Sequence, residues 1–412
     1  MTPFWTLSAA GFAATAIAYG PARMGFGLFL SQFRTEFSIS TQTAGLVSSL
    51  GFLGFLLGLL AAQVMTNRKG PRLPVTAGLS AATLGMAIVA VASNLPVLAA
   101  GIFLAMASAG LSWTPFNNAV HRRVEDGARP VALSWISTGT GVGIALAGAA
   151  ALLMSLSGLS WRVCWGIFAI GAALALLVNR MALRQVAGTD GPGPAQRWGL
   201  LRRRSAIPLL AIGFCFGTTS AVYISFAPDR IADAGGLAGL PRDAAGGLVF
   251  LCFGAFGLLG LVTGGAKAAI GLPWLVRLLM LAAAVSLALV AAAPTWPGVI
   301  LSAGLQGIYV MMTSAVLAFW SDRLFPALPS QSFTAVLLAV AVGSVLGPAA
   351  AGFASDAIGS APMFLAVAAL AAATALVVRA RHIRERPETE TGPEPRHAIR
   401  RPDRPAQAPT AG

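Results

Sequence analysis

The chain has 412 residues, 56% of them hydrophobic and only 10% charged, with a mean hydropathy of +0.76. A soluble domain carries roughly 25% charged residues, so a soluble globular protein is excluded, and an all-α integral membrane protein is expected because lipid cannot satisfy an open strand edge. The net charge of +14 gathers in short loops and in the C-terminal stretch without interleaved aromatics, which marks topology and anionic-lipid contact, not nucleic acid.

Apolar runs of about 18 to 24 residues can cross a hydrocarbon core of roughly 30 Å as helices. In chain order the predicted spans are 7–30, 43–65, 74–93, 96–118, 132–155 and 161–179, then 206–227, 245–266, 274–293, 297–320, 333–353 and 362–379. Twelve transmembrane helices are therefore expected in two six-helix bundles, over residues 1–179 and 206–379, joined by a basic cytoplasmic linker at 180–205. Residues 380–412, rich in Pro, Arg and Glu, are expected to be a disordered cytoplasmic tail. The first run lacks a basic leader and a small-residue cleavage pattern, so it reads as a retained helix. An even number of spans puts both termini on one side. That side collects 22 Lys and Arg against four opposite (Arg34, Arg162, Arg230 and Arg242), leaving Arg23 and Arg277 within spans. Both termini are thus expected in the cytoplasm, with the protein in the cell membrane.

An internal repeat supports the two halves. "AGLVSSLGFLGFLLGLL" from Ala44 aligns with "GGLVFLCFGAFGLLGLV" from Gly246, "SAGL" recurs at Ser108 and Ser302, and Gly143 matches Gly343. Spans 3, 6, 9 and 12 are nearly pure Ala, Leu, Val and Ile, and should face lipid. Spans 1, 4, 7 and 10 carry the polar and aromatic groups, and should line an interior. Spans 2, 5, 8 and 11 are spaced by glycine, as at Gly51, Gly54 and Gly58 or at Gly254, Gly257, Gly260 and Gly264, which lets backbones approach.

Arg23, in "AYGPARMGFGLF", is a permanent charge within the first span. With that span ending near Leu30, the arginine lies some 8 Å below the outer boundary of the core. Three readings stand: an anion contact in a cavity, a structural partner of backbone carbonyls, and a side chain reaching for the interface. Side chains lean toward a helix N-terminus, here cytoplasmic, which turns the guanidinium away from the nearer surface. Pro21, with Gly20, Gly25 and Gly27, should bend the helix beside it, and Tyr19 lies one turn away on the same face. None of the fourteen acids falls mid-span, leaving the guanidinium free for an anion it can hold with two parallel bonds. Asp356 is the best candidate for a competing ion pair. The candidate substrate contacts are Arg23, Tyr19, Trp113, Asn117, Tyr223, Gln306 and Tyr309, each with helix packing as its alternative.

With these residues noted, the chain resembles the major facilitator superfamily over about residues 5–380, and its first span is similar to the branch that includes cyanate-permease-like carriers. "QVMTNRKGPR" from Gln63 resembles the family's signature between spans 2 and 3, with Arg68, Gly70 and Arg72 fitting, and Asn67 where Asp is usual. "GSVLGPAAAGFASDAIGS" from Gly343 resembles its pattern at the end of span 11. The resemblance implies two bundles related by a pseudo-twofold axis, a site between them, and rocking motions for which Arg68, Gly70, Arg72, Gly343, Gly347 and Pro348 are the gating candidates.

The expected function is secondary or facilitative transport of a small anion by alternating access. The alternatives are efflux of amphipathic drug-like compounds and a non-transporting receptor or scaffold. His121, His382 and His397 lie outside the span centres, and Cys164, Cys215 and Cys252 sit in apolar runs, so no enzyme site, metal or cofactor is expected. The expected partners are a small-molecule substrate, a coupling ion of unknown identity and the lipid bilayer, with no nucleic acid and a monomeric state.

Overall fold

Proline and glycine decide how the first span is built. In the computed structural model, which describes residues 3–184, 186, 206–325, 329–378 and 383, it is three helices in line: α1 (Pro3–Tyr19), α2 (Pro21–Leu28) and α3 (Leu30–Phe37). Pro21 has no N–H for the carbonyl of Ile17, and Gly20 breaks the path there at φ −75°, ψ −103°. Phe29, at φ −116°, ψ 14°, separates α2 from α3. The bend matches the expectation. The length corrects it, because the helix continues past Leu30 to Phe37 with the charges of Arg34 and Glu36 paired to neighbouring helices. The midpoint of residues 3–37 falls near residue 20, so Arg23 lies only about 4–5 Å from it at 1.5 Å per residue. The arginine is deeper than the sequence placed it.

The first half continues with α4 (Thr41–Lys69), α5 (Arg72–Ala90), α6 (Leu95–Ser112), α7 (Thr114–Arg123), α8 (Arg129–Leu156) and α9 (Trp161–Ala182). The second contains α10 (Ile207–Asp233), α11 (Ala245–Gly257), α12 (Thr263–Ile270), α13 (Leu272–Ala291), α14 (Trp296–Leu324), α15 (Pro329–Ile358) and α16 (Ser360–Val377). Most of the expected linker and of the tail lie outside the described residues. The fourth span divides at Trp113, where Pro115 opens α7. The eighth divides at a 3-10 stretch, Leu258–Val262, although its repeat mate α4 runs unbroken. Among the described residues eleven helical stretches are long and apolar enough to cross a membrane. The broken α1–α3 chain takes the twelfth place. A second correction concerns α10, expected to end near Ala227. It continues to Asp233, so Asp229, expected outside, lies within the helix and is 4% exposed.

The two halves repeat their internal contacts. Gly143 of α8 lies against Ala16 of α1, and Gly343 of α15 lies against Phe214 and Thr218 of α10. Between halves, α4 crosses α15 where Gly45 meets the carbonyl of Pro348, and α8 crosses α11 where Gly148 meets Leu251 and Gly254 meets Ala145. A Cβ at any of these glycines would strike backbone, which is why these crossings use glycine. Gly264 departs from the expectation, with nothing near its Cβ position. The outer helices behave as their composition requires: 28% of the apolar stretch of α16 and 39% of that of α9 is buried, against 67% for α10.

The turns at the Arg68 end are a matched pair. Gly70, between α4 and α5, has φ 76°, ψ −178°, and Gly271, between α12 and α13, has φ 77°, ψ 159°. This backbone region is essentially reserved for glycine. Gly70→Ala and Gly271→Ala are each expected to lower the melting temperature of the detergent-solubilised protein, through strain of roughly 1–3 kcal/mol. Gly264→Ala, in open space and ordinary helical backbone, is expected to leave it unchanged or slightly raised. Intrinsic tryptophan fluorescence on heating measures all three.

Candidate functional site

The orientation of Arg23 is set by what pins the rest of its helix. Gly25 lets the ring of Trp165 close on α2. Phe29 and Phe33 stack around Trp165 and Trp161, with ring centroids 4.9–6.3 Å apart. Beyond them Glu36 accepts from Trp161 Nε1 at 2.7 Å and from Arg162 at 2.9 Å, while Arg162 also donates to the carbonyl of Ala92. On the other side, Gly27 lies under the backbone of Ile224 and Ser225 of α10, and Leu28 meets Gly246 of α11. α2 is thus packed by helices of both halves. Every residue of α2 is buried except Arg23, which is partly exposed.

Three aromatic faces hold the guanidinium. Its Cζ lies 4.5 Å from the ring centroid of Phe55, 5.4 Å from that of Tyr19 and 5.6 Å from that of Phe52, all within cation–π range. Tyr19 packs on a small apolar cluster of Ala18, Phe55, Ala109 and Ala341, the last from α15 of the second half. No ion pair among the described residues involves Arg23; they join Arg34 to Asp229 and Asp233, Arg129 to Asp126, and Arg162 to Glu36. The Nε of Arg23 is buried with no hydrogen-bond partner. Asp356, the expected competitor, accepts instead from the backbone N–H of Gln42 at 3.3 Å.

Of the sequence candidates, the structure brings together Arg23 and Tyr19. Trp113 stands at the break between α6 and α7, its ring centroid 5.8 Å from that of Phe333 across the seam. Nearby Thr334 donates to Gln63 at 3.0 Å. The side chain of Asn117 lies outside the described residues. Tyr223 and Tyr309 require a correction, because both are fully buried inside the second half. The Tyr223 hydroxyl is 3.2 Å from Ser302 Oγ, and the Tyr309 hydroxyl is 2.9 Å from Thr219 Oγ1. Neither side chain presents a surface to the seam. Gln306, one turn before Tyr309 on α14, is fully buried, with both amide atoms unpartnered. Arg68 and Arg72 are exposed beside the Gly70 turn. Gly343 and Gly347 pack α15 on α10, and Pro348 touches Gly45 of the other half.

Phe52 and Phe55 escaped sequence reasoning. Their signal was the doubled Gly-Phe in "GFLGF", whose three-residue spacing puts both rings on one helix face. Also missed was the ion pair that closes the Arg34 end. Arg34 Nη1 lies 2.5 Å from Asp229 and 2.9 Å from Asp233, joining α3 to α10. Ser48 and Ser225 bond across the same end at 2.5 Å, and Gln32 donates to the carbonyl of Asp243 at 3.4 Å.

This arrangement offers a caged cation between two similar halves that meet tightly at one end. Comparisons with known proteins agree with the two-halved helical fold. The solved structures similar to this chain include a mutant of the nucleoside transporter NupG (13% identity, TM-score 0.71, covering 90% of this chain and 98% of that one). They also include a peptide transporter POT in complex with sulfate (15%, 0.75, 91% and 93%). A third is a bacterial homologue of the human lysosomal transporter Spinster in an inward-facing, unoccupied conformation (15%, 0.71, 92% and 97%). At such identities the likeness concerns the fold. No curated protein sequence matches the chain. The family model of the Major Facilitator Superfamily matches residues 11–268, more than half of the chain, and with twelve spans in two repeated halves this protein belongs to that superfamily of membrane transporters.

Proposed function

We propose that the chain is a secondary or facilitative transporter that moves a small anion across the cell membrane by alternating access, with Arg23 as the electrostatic anchor. The observation that carries this reading is the Arg23 guanidinium, deep in the bundle at the seam, caged by rings and bonded to no carboxylate. A charge in such a place is costly unless something compensates it. An anionic solute is the compensation that also gives the charge a purpose. Tyr19, one turn away, stands beside it as a second contact.

The basic residues favour a cytoplasmic Arg68 end, bearing both termini, and an outer Arg34 end. The present arrangement is then closed to the outside, with Arg34, Asp229 and Asp233 as its latch. Opening separates α3 from α10 while the glycine crossings of α4 with α15 and α8 with α11 act as pivots. Both halves and the whole seam come from one chain, so the monomer is the working unit. The rings around Arg23 and the contact of Trp113 with Phe333 also suit an amphipathic cargo, the second reading.

Uptake of a panel of small anions into proteoliposomes, with and without imposed pH and Na⁺ gradients, tests the function. Arg23→Ala is expected to reduce anion uptake at least about tenfold, the loss of one charge-assisted contact. Arg23→Lys, which keeps the charge but not the two-bonded geometry, is expected to fall between. Flux that survives Arg23→Ala but depends on Trp113 overturns the anion reading in favour of efflux of amphipathic compounds.

The latch is tested separately. Asp229→Asn is expected to shift the protein toward an Arg34-end-open state, by about 5–150-fold for a change of 1–3 kcal/mol. Spin labels at the exposed positions Thr35 and Ala238, in a background lacking the three native cysteines, measure the distance across that end. A longer distance in Asp229→Asn supports the latch, and an unchanged one contradicts it.

A further inference from the structure

The surroundings of Arg23 restrict the anion further than its charge alone. This inference rests on the anion reading above. We infer that the substrate is a monocarboxylate with a compact apolar or aryl body.

The first restriction is charge. Arg23 is the one described cation placed at the seam deep within the bundle. Arg34 is paired to Asp229 and Asp233, and Arg162 to Glu36. Arg230 donates to the carbonyl of Ala291, and Arg277 to that of Val378. One buried cation neutralises one negative charge. A second negative charge on the ligand would be desolvated without a mate, the arrangement interiors tolerate least. Dicarboxylates and phosphate monoesters are therefore poor cargo.

The second restriction is direction. Rings at 4.5–5.6 Å lie over the guanidinium carbon. A guanidinium faced by rings offers a ligand its edge, where the N–H groups point, and one of these, on Nε, is buried without a partner. An acceptor with two coplanar oxygens matches that edge, and a carboxylate has this shape.

The third restriction is the apolar packing beside the charge. Ala18, Ala109 and Ala341 are small and apolar, and Phe52 and Phe55 present ring faces. Apart from the Tyr19 hydroxyl this group has no polar atom for a polyhydroxylated body, whereas an aryl or short branched body can stack on the rings.

Competition on the unaltered full-length protein in lipid nanodiscs tests this without requiring a variant to fold. Radiolabelled benzoate is the probe, and phenylacetate, succinate, inorganic phosphate and methyl benzoate are the competitors. Phenylacetate is expected to displace benzoate at concentrations within about tenfold of unlabelled benzoate. Succinate, phosphate and the neutral ester are expected to need at least about a hundredfold more. Phe55→Leu is expected to weaken benzoate roughly 2- to 12-fold while changing acetate less. Succinate or phosphate competing as well as phenylacetate, with binding lost in Arg23→Ala, overturns the monocarboxylate inference and leaves the anion reading standing. Absence of Arg23-dependent binding or uptake for every anion tested overturns both.

Discussion

A guanidinium cannot shed its charge, and this one sits near the middle of a bundle built for lipid. Everything that touches Arg23 manages that charge without neutralising it. Pro21 and Gly20 bend the helix just before it, Trp165 fixes the opposite face of α2, and three rings cover the cation. Cation–π contacts of this kind contribute on the order of 0.5–2 kcal/mol each. That is too little to replace the lost hydration of the charge, yet enough to hold the side chain in one orientation. A protein needing only stability would have supplied a carboxylate or a leucine.

The acids show where the chain does neutralise charge. Arg34 meets two carboxylates of the other half, and Arg162 meets Glu36 within its own half. Both clusters lie at one end of the molecule, where the halves touch most closely. Arg23, about eleven residues or roughly 16 Å along the helix from Arg34, is left without such a mate. On the proposed reading this division separates a latch from a site: paired charges close an end, and the unpaired charge is left for an anion. The glycine crossings complete the scheme, since backbones that meet without side chains can roll over one another with little repacking.

Much of this was legible in the sequence. Composition fixed the class, glycine spacing marked spans 2, 5, 8 and 11 for close backbone approach without saying which would pair, and Pro21 announced its bend. Span ends were not legible where charged residues follow an apolar run. Arg34, Glu36 and Asp229 read as loop residues, although each is held in a helix by a partner distant in sequence. The census of polar spans was right that their polar groups turn inward, but it could not separate the interior of one half from the seam between halves. Tyr223 and Tyr309 fell on the wrong side of that distinction, because both environments demand buried hydroxyls and a one-dimensional pattern treats them alike. Phe52 and Phe55 were missed for the converse reason: the spacing in "GFLGF" marks a shared helix face, but not that the face meets a cation.

The account stands on an unmated guanidinium facing the seam, and an experimental structure in lipid nanodiscs with benzoate present tests it most directly. The account expects both carboxylate oxygens at hydrogen-bond distance, about 2.7–2.9 Å, from the edge of Arg23, with the aryl ring against Phe55. Density showing the guanidinium bonded to a protein carboxylate, or turned outward among acyl chains, would contradict it.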